Sequence, residues 1–255
     1  MIRFTMSYLA FFVVCLVATV FAEPPERVVG GTRAAIGEFP YQVSIRIGNQ
    51  HTCGGSIISS RHILTAAHCV NNWGGAPNNF YTVVSGTNSL SNGGEVHGIS
   101  SVSVHPNYIG TQETSWINDV AVITLRSPIS FNRLQSAIPL VDTEVPNGSL
   151  LNLSGWGKIS TNGPLSNALL KTYLFAEDYA VCQQEHTIPI YPSQICALNR
   201  VGIGACQGDS GGPLTYNGKI AGIVSWVIPC ARGVPDVFTK VSAHLNFIKY
   251  VVEST

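Results

Sequence analysis

One stretch of the chain gathers residue types that do chemistry together: Gly204-Ala205-Cys206-Gln207-Gly208-Asp209-Ser210-Gly211-Gly212-Pro213-Leu214. A serine hydroxyl is a poor nucleophile until a neighbouring base takes its proton. Glycines on both sides let the backbone turn tightly and let another chain come close. A turn that holds Ser210 forward can aim the N–H groups of Gly208 and Ser210 at one point, the geometry that stabilises an oxyanion. Taken alone, the stretch is equally a glycine-rich surface turn that contains a serine. A base must therefore be found elsewhere.

His68 is the candidate. It ends the small-residue run Leu64-Thr65-Ala66-Ala67-His68 and is followed by Cys69, which could pin it; the other six histidines lack such a setting. A third member must be a carboxylate, and there are five aspartates. Asp178 lies in a helix-like patch, Asp142 in a polar connection before Pro146, Asp209 beside the serine and Asp236 near the C-terminus. That leaves Asp119, heading the apolar run Val120-Ala121-Val122-Ile123-Thr124-Leu125, where a carboxylate would be buried; a strand-start cap is the alternative. The order His, Asp, Ser is one of those in which nucleophile, base and orienting carboxylate occur along a chain.

With those residues in view, five segments in register resemble the chymotrypsin-like (trypsin-fold) serine proteases. They are Val28-Val29-Gly30-Gly31, Thr65-Ala66-Ala67-His68-Cys69, Asn118-Asp119-Val120-Ala121, Ser154-Gly155-Trp156-Gly157 and Gly208-Asp209-Ser210-Gly211-Gly212-Pro213. Later, Ser225-Trp226, Pro229-Cys230 and Pro235-Asp236-Val237 are most similar to insect and crustacean chymotrypsin- or collagenase-type members. The resemblance implies a secreted serine endopeptidase with His68, Asp119 and Ser210 as its triad and Gly208 and Ser210 as its oxyanion hole. It also implies the disulfides Cys53–Cys69, Cys182–Cys196 and Cys206–Cys230, whereas spacing alone leaves fifteen connectivities open. The substrate pocket falls to Gly204, Ala205, Gln207, Ser225, Trp226, Val227 and Asp236. Gly204 stands where trypsin-like members carry a floor aspartate, and Val227 narrows the slot as in elastases. Asp236 occupies a wall position where glycine is common, facing the pocket or turned aside into solvent. Chymotrypsin- or elastase-like preference is therefore expected over cleavage at Arg or Lys.

The elements that must position these residues read as all-β. Strand-like runs recur at Tyr41–Ile47, Gly55–Ser59, Phe80–Ser85, Ile99–His105, Val120–Leu125, Leu150–Ser154, Leu169–Phe175, Lys219–Trp226 and Asp236–Val241, with a further strand after Pro213. Asn49 and Asn217-Gly218 are among the turn signals, and Ala243–Val252 repeats apolar residues (Leu245, Ile248, Val252) at helical spacing. In the resembling family such runs become two six-stranded antiparallel β-barrels with the site between them and a C-terminal helix. The divide is expected near residues 131–147.

Residues 1–22 read as a secretory signal peptide, with Arg3 followed by an apolar run from Tyr8 to Phe21. The run is shorter than the roughly 20 apolar residues a membrane span requires. Residues 23–27 look like an activation peptide, cut after Arg27 by a trypsin-like protease. The resemblance implies that the new α-amino group on Val28 then pairs with Asp209. Ser44 and His51 match positions that hold that aspartate in some zymogens, though His51 is equally a plain surface histidine. Residues 28–255 form the protease domain, large enough for a substantial core.

Fourteen basic residues balance fourteen acidic ones, which gives no reason to expect nucleic acid or a membrane as partner. Six of the seven cysteines follow the leader, an even number suited to an oxidising compartment. There is no Cys-x-x-Cys and the histidines are scattered, so no metal site is expected, nor any cofactor. The stretch that would form the family's calcium loop, residues 86–92, has no acidic residue. Expected partners are protein or peptide substrates, the activating protease and protein inhibitors, with the enzyme a monomer. Two N-glycosylation sequons occur: Asn147-Gly148-Ser149 in a turn, and Asn152-Leu153-Ser154 in a strand-like run where a sugar is less expected. The rival function is a catalytically inactive homologue that binds a partner. An α/β-fold esterase is excluded, because its serine would open a helix while Pro213 here leads into a strand.

Overall fold

The computed structural model describes residues 29–73, 79–228 and 230–255. The signal peptide, the activation peptide with Arg27, Val28 and Pro229 lie outside the described residues. Short strands, most of them buried along nearly their whole length, build two closed antiparallel barrels. In the first, β2 (Gln42–Ile47), β3 (Gln50–Ile57), β4 (His62–Thr65), β5 (Tyr81–Ser85), β6 (Glu95–Val104) and β7 (Ala121–Leu125) run in the order β2-β3-β4-β7-β6-β5 and close. The second joins β8 (Leu150–Gly155), β9 (Leu170–Glu177), β10 (Gln194–Leu198), β11 (Pro213–Tyr216), β12 (Lys219–Trp226) and β13 (Asp236–Lys240). Its order is β8-β9-β10-β13-β12-β11, closed by the pairing of β11 with β8, and the short β1 (Thr32–Arg33) adds to β9.

Two hairpins show why these strands turn where they do. Gly48-Asn49 joins β2 to β3, and Asn217-Gly218 joins β11 to β12; all four residues have positive φ. Two left-handed residues make the tight turn whose twist matches that of the flanking strands. The first barrel is filled by Val43, Ile45, Ile57, Ile63, Ile123 and Leu125, the second by Leu151, Leu153, Leu174, Leu214 and Phe238. The chain ends in a 3-10 turn (Val241–His244) and the helix α2 (Leu245–Ser254), which buries Ile248 and Val251 against the first barrel. The expected inner row of Leu245, Ile248 and Val252 thus shifts by one residue at its end, to Val251. A short helix, α1 (Tyr179–Glu185), is capped by Asp178, whose carboxylate accepts from Ala180 N and Val181 N.

Strands β4 and β10 were not anticipated. Both are short, and His62 and Gln194 at their heads hide the pattern, although both side chains are buried. Where the barrels meet, glycines let backbone touch backbone. Gly54 N donates to Ser210 O at 2.8 Å, and a Cβ on Gly54 would lie 2.9 Å from Gly212 Cα. Ser154 Oγ reaches across to Gln42 Oε1 at 2.7 Å. The serine loop of one barrel is thereby seated on β3 of the other.

Candidate active site

His68 sits in a 3-10 turn (Ala67–Cys69) directly after β4, and the Cys53–Cys69 disulfide ties that turn to β3. Asp119 precedes β7, the neighbour of β4, so adjacent strands deliver both side chains to the same barrel edge. The carboxylate is fully buried and takes three donors: His68 N to Oδ1 at 2.9 Å, His68 Nδ1 to Oδ2 at 2.7 Å and Ser225 Oγ to Oδ2 at 2.6 Å. Thr239 Oγ1 holds the Asp119 carbonyl at 2.8 Å. An ionised carboxylate only accepts, so Nδ1 carries the proton and Nε2 keeps a lone pair. Burial on its own lowers the His68 pKa; the Asp119 charge and hydrogen bond together outweigh it, and the net shift is upward. Among the described residues no hydrogen bond joins Ser210 Oγ to His68.

The approach to Asp119 is bent by unusual backbone. Ser115, Trp116 and Asn118 all have positive φ, an arrangement that costs about 1 kcal/mol or more per residue unless its surroundings enforce it. Gln194 Nε2 donates to Ser115 O at 2.8 Å, and the Ser115 hydroxyl bonds Pro189 O. Asn118 Nδ2 reaches Asn107 O at 2.9 Å while its Oδ1 meets the His244 ring at 3.2 Å.

On the second barrel, Gly208 has φ +97° and a Cβ there would strike Leu165, so only glycine fits. Its carbonyl accepts from His51 Nε2 at 2.9 Å, and His51 Nδ1 pairs with Ser44 Oγ at 2.9 Å. That bond makes Nε2 the donor nitrogen and Nδ1 the acceptor for the serine hydroxyl. His51 is half-buried and bonded to the Gly208 carbonyl, and burial pushes its pKa down to about 4. Asp209 is fully buried, with Gly157 N donating at 2.8 Å and Cys206 N at 3.0 Å. A Cβ on Gly155 or Gly157 would fall on its carboxylate, which explains the two glycines flanking Trp156. Burial raises the Asp209 pKa to about 6 against those two bonds.

Of the predicted pocket residues, Gly204 and Ala205 meet Asp236. Gly204 and Ala205 lie buried below Cys206, which is bonded to Cys230; Ser225 is buried, Trp226 and Val227 are half-buried and Gln207 is exposed. Asp236 is buried rather than turned to solvent. Its Oδ2 accepts from Ala205 N at 2.7 Å and lies 2.7 Å from where a Gly204 Cβ would be. The carboxyl occupies the space that the missing residue-204 side chain leaves. Burial, with the nearby Asp209 charge, raises its pKa to about 8 despite the Ala205 bond. Trp226 packs between His186, with ring centroids 4.9 Å apart, and Trp116 at 6.0 Å.

All three implied disulfides are present, the third linking Cys182 in α1 to Cys196 in β10. Near His68 the Cys53 and Cys69 sulfurs are bonded to each other, so they are not thiolates able to hold a metal. Sequence reasoning missed Ser225 as a partner of Asp119, and Thr239 and His244 as supports of its loop. Serine, threonine and histidine in strands and turns carry no local signal for a contact more than a hundred residues away.

A histidine held by a fully buried carboxylate on one barrel, with the serine loop of the other barrel seated on β3, is an arrangement of the serine protease kind. Residues 28–248 match the Trypsin family. The chain is 40% identical to chymotrypsin-2 of Vespa crabro over 87% of its length and 98% of that protein. It is 37% identical to the vitellin-degrading protease of Bombyx mori, over 85% and 82%. Among solved structures it resembles neuropsin, a serine protease expressed in the limbic system of mouse brain, with TM-score 0.80 and 27% identity over 87% of this chain and 98% of that one. The chain belongs to the trypsin family of serine proteases and is a serine endopeptidase. A role in binding alone is thereby set aside.

Proposed function

We propose that the chain is exported under a leader of residues 1–22 and activated by a trypsin-like cut after Arg27. Residues 28–255 would then cleave proteins through Ser210, His68 and Asp119. The observation that carries this is the His68–Asp119 pair, with three donors on a fully buried carboxylate at the rim where the Ser210 loop is seated. Ser210 Oγ attacks the scissile carbonyl carbon and its proton passes to His68 Nε2. His68 then protonates the leaving amine, and water repeats the cycle on the acyl-enzyme. The N–H groups of Gly208 and Ser210 receive the oxyanion, each donor worth about 3 kcal/mol.

Cleavage after Arg27 would free the Val28 amine to pair with Asp209. The pocket made by Gly155 and Gly157 around that carboxylate, and the His51–Gly208 bond beside it, support this reading. Such a buried pair acts as a switch better than as a stabiliser. Wild-type protein without its leader is expected to gain activity when trypsin cuts at Arg27. An Arg27→Gln variant should stay inactive; full activity in that variant would reject the zymogen reading.

For specificity, we infer preference for medium apolar P1 residues such as Leu, with Ala, Phe and Tyr tolerated and Arg or Lys cut weakly. Val227 shortens the slot, and the raised pKa of Asp236 leaves its floor carboxyl mostly uncharged at neutral pH. The divide between the barrels falls at residues 131–147, consistent with β7 ending at Leu125 and β8 starting at Leu150. Among the described residues no helix is long and apolar enough to cross a membrane. Protein substrates, an activating protease and protein inhibitors are the partners, and the enzyme works as a monomer. Cleavage of a P1-diverse peptide library by the activated protein tests the preference directly.

A further inference from the structure

The outer face of the β8–β9 hairpin breaks the alternation that built it. Leu151 and Leu153 point inward and are fully buried, so the outward positions should be polar. Instead Leu150 is 51% exposed, Tyr173 49% and Phe175 43%. Leu150 pairs across the strands with Phe175 and Asn152 with Tyr173, and the two aromatic rings meet edge to face at 5.8 Å. Three large apolar side chains thus form one contiguous exposed patch, with Asn152 set inside it. Contiguous exposed apolar patches often mark a place where something binds.

Asn152 is the first residue of the sequon Asn152-Leu153-Ser154. Its place in a strand argued against a sugar, yet in the barrel its side chain faces outward and is exposed. No hydrogen bond engages its amide among the described residues, whereas the amides of Asn88, Asn118 and Asn199 are all tied to backbone carbonyls. Beside it opens a recess of about 440 Å³, whose lining includes Phe39, Lys171 and Tyr173. At its edge the Lys171–Glu38 ion pair offers polar partners.

We propose that Asn152 carries an N-linked glycan whose first N-acetylglucosamine packs on Tyr173 and covers the apolar face formed by Leu150, Tyr173 and Phe175. Side chains directly opposite on paired strands stand about 5 Å apart, which places the first sugar over the tyrosine ring. Its C–H face meets the aromatic surface while its hydroxyls and acetamide turn to water and to the ion pair. The donor is a polyisoprenyl-pyrophosphate-linked oligosaccharide. The Asn152 amide nitrogen bonds to the sugar's anomeric carbon, the carbon–oxygen bond to pyrophosphate breaks, and the amide proton leaves to base as the lipid pyrophosphate departs.

The inference rests on the export reading, so the test has two arms. Protein is produced in insect cells with its own N-terminus, and again with an established secretory leader replacing residues 1–22. Peptide-N-glycosidase treatment in heavy-oxygen water should leave a labelled aspartate at position 152 in wild type and in Asn147→Gln, and none in Asn152→Gln or Asn152→Asp. A labelled leader-swapped protein beside an unsecreted native one would reject export and uphold the glycan. An unmodified Asn152 in secreted, leader-swapped protein would overturn the proposal. The covering role has its own readout: Asn152→Gln should bind about two-fold more of a hydrophobic dye than wild type. Adding Tyr173→Thr should remove that excess. Equal dye binding by wild type and Asn152→Gln would refute the cover.

Discussion

Asp119 and Asp236 are both buried aspartates, yet their surroundings treat the same side chain in opposite ways. Asp119 lies between a histidine and a serine, and three donors converge on its two oxygens. Asp236 has one such donor, Ala205 N, and the charge of Asp209 nearby. At Asp236 desolvation outweighs that single bond, and the carboxyl holds its proton to about pH 8. The two carboxyls are alike in burial and differ in the donors that reach them, three on Asp119 and one on Asp236.

The comparison breaks most severely at Asp119. Asp119→Asn should lower kcat by about 10⁴-fold, because the amide favours the wrong imidazole tautomer. Circular dichroism and melting should show the variant still folded. Val227→Gly comes next. Widening the slot should raise kcat/KM for Phe and Tyr substrates by about 10- to 100-fold, as pocket methylenes discriminate by about 1–3 kcal/mol. No gain on those substrates would mean that charge, not width, sets the preference. Ser225→Ala removes one of the three donors to Asp119. A hydrogen bond to a charged group contributes about 1.5–3 kcal/mol, so kcat should fall by about 10-fold or more, with KM nearly unchanged.

The smallest expected effect concerns pH, and it sharpens the contrast most. His68 must be neutral to act as base, so the rate should rise with pH through a value above the ordinary histidine pKa of about 6.5. Asp236 runs the other way in charge. It is uncharged below about pH 8 and ionised above, so Arg and Lys cleavage relative to Leu should climb several-fold across that value. Asp236→Asn should abolish the climb. The linkage also predicts a stability difference. A carboxyl whose folded pKa exceeds its unfolded value of about 3.9 makes the fold less stable as pH rises from there to about 8. Asp236→Asn should therefore melt higher than wild type at pH 8, and by less at pH 4.

Much of this was legible in sequence because the nucleophile loop and the Asp119 strand carry their function in contiguous residues. The barrels follow from short strand-like runs and from Asn49 and Asn217-Gly218, whose turns require left-handed backbone. Legibility ended where contacts are remote in the chain. Ser225 looked like pocket wall, and its bond to Asp119 spans 106 residues. His51 read equally as surface, until the barrels placed it under Gly208. Asp236 could have faced either way, because only packing reveals that Gly204 leaves it room. Strand β4 escaped notice because it is four residues long, with His62 at its head and Thr65 at its end.

The central claim, that Ser210 is the nucleophile driven by His68 and Asp119, is tested most directly by covalent labelling with a fluorophosphonate after cleavage at Arg27. Mass mapping should place one adduct on Ser210, formed at a rate that rises with pH as His68 loses its proton and drops sharply in Asp119→Asn. An adduct on another serine, or labelling of Ser210 at the same rate in wild type and Asp119→Asn, would contradict the account.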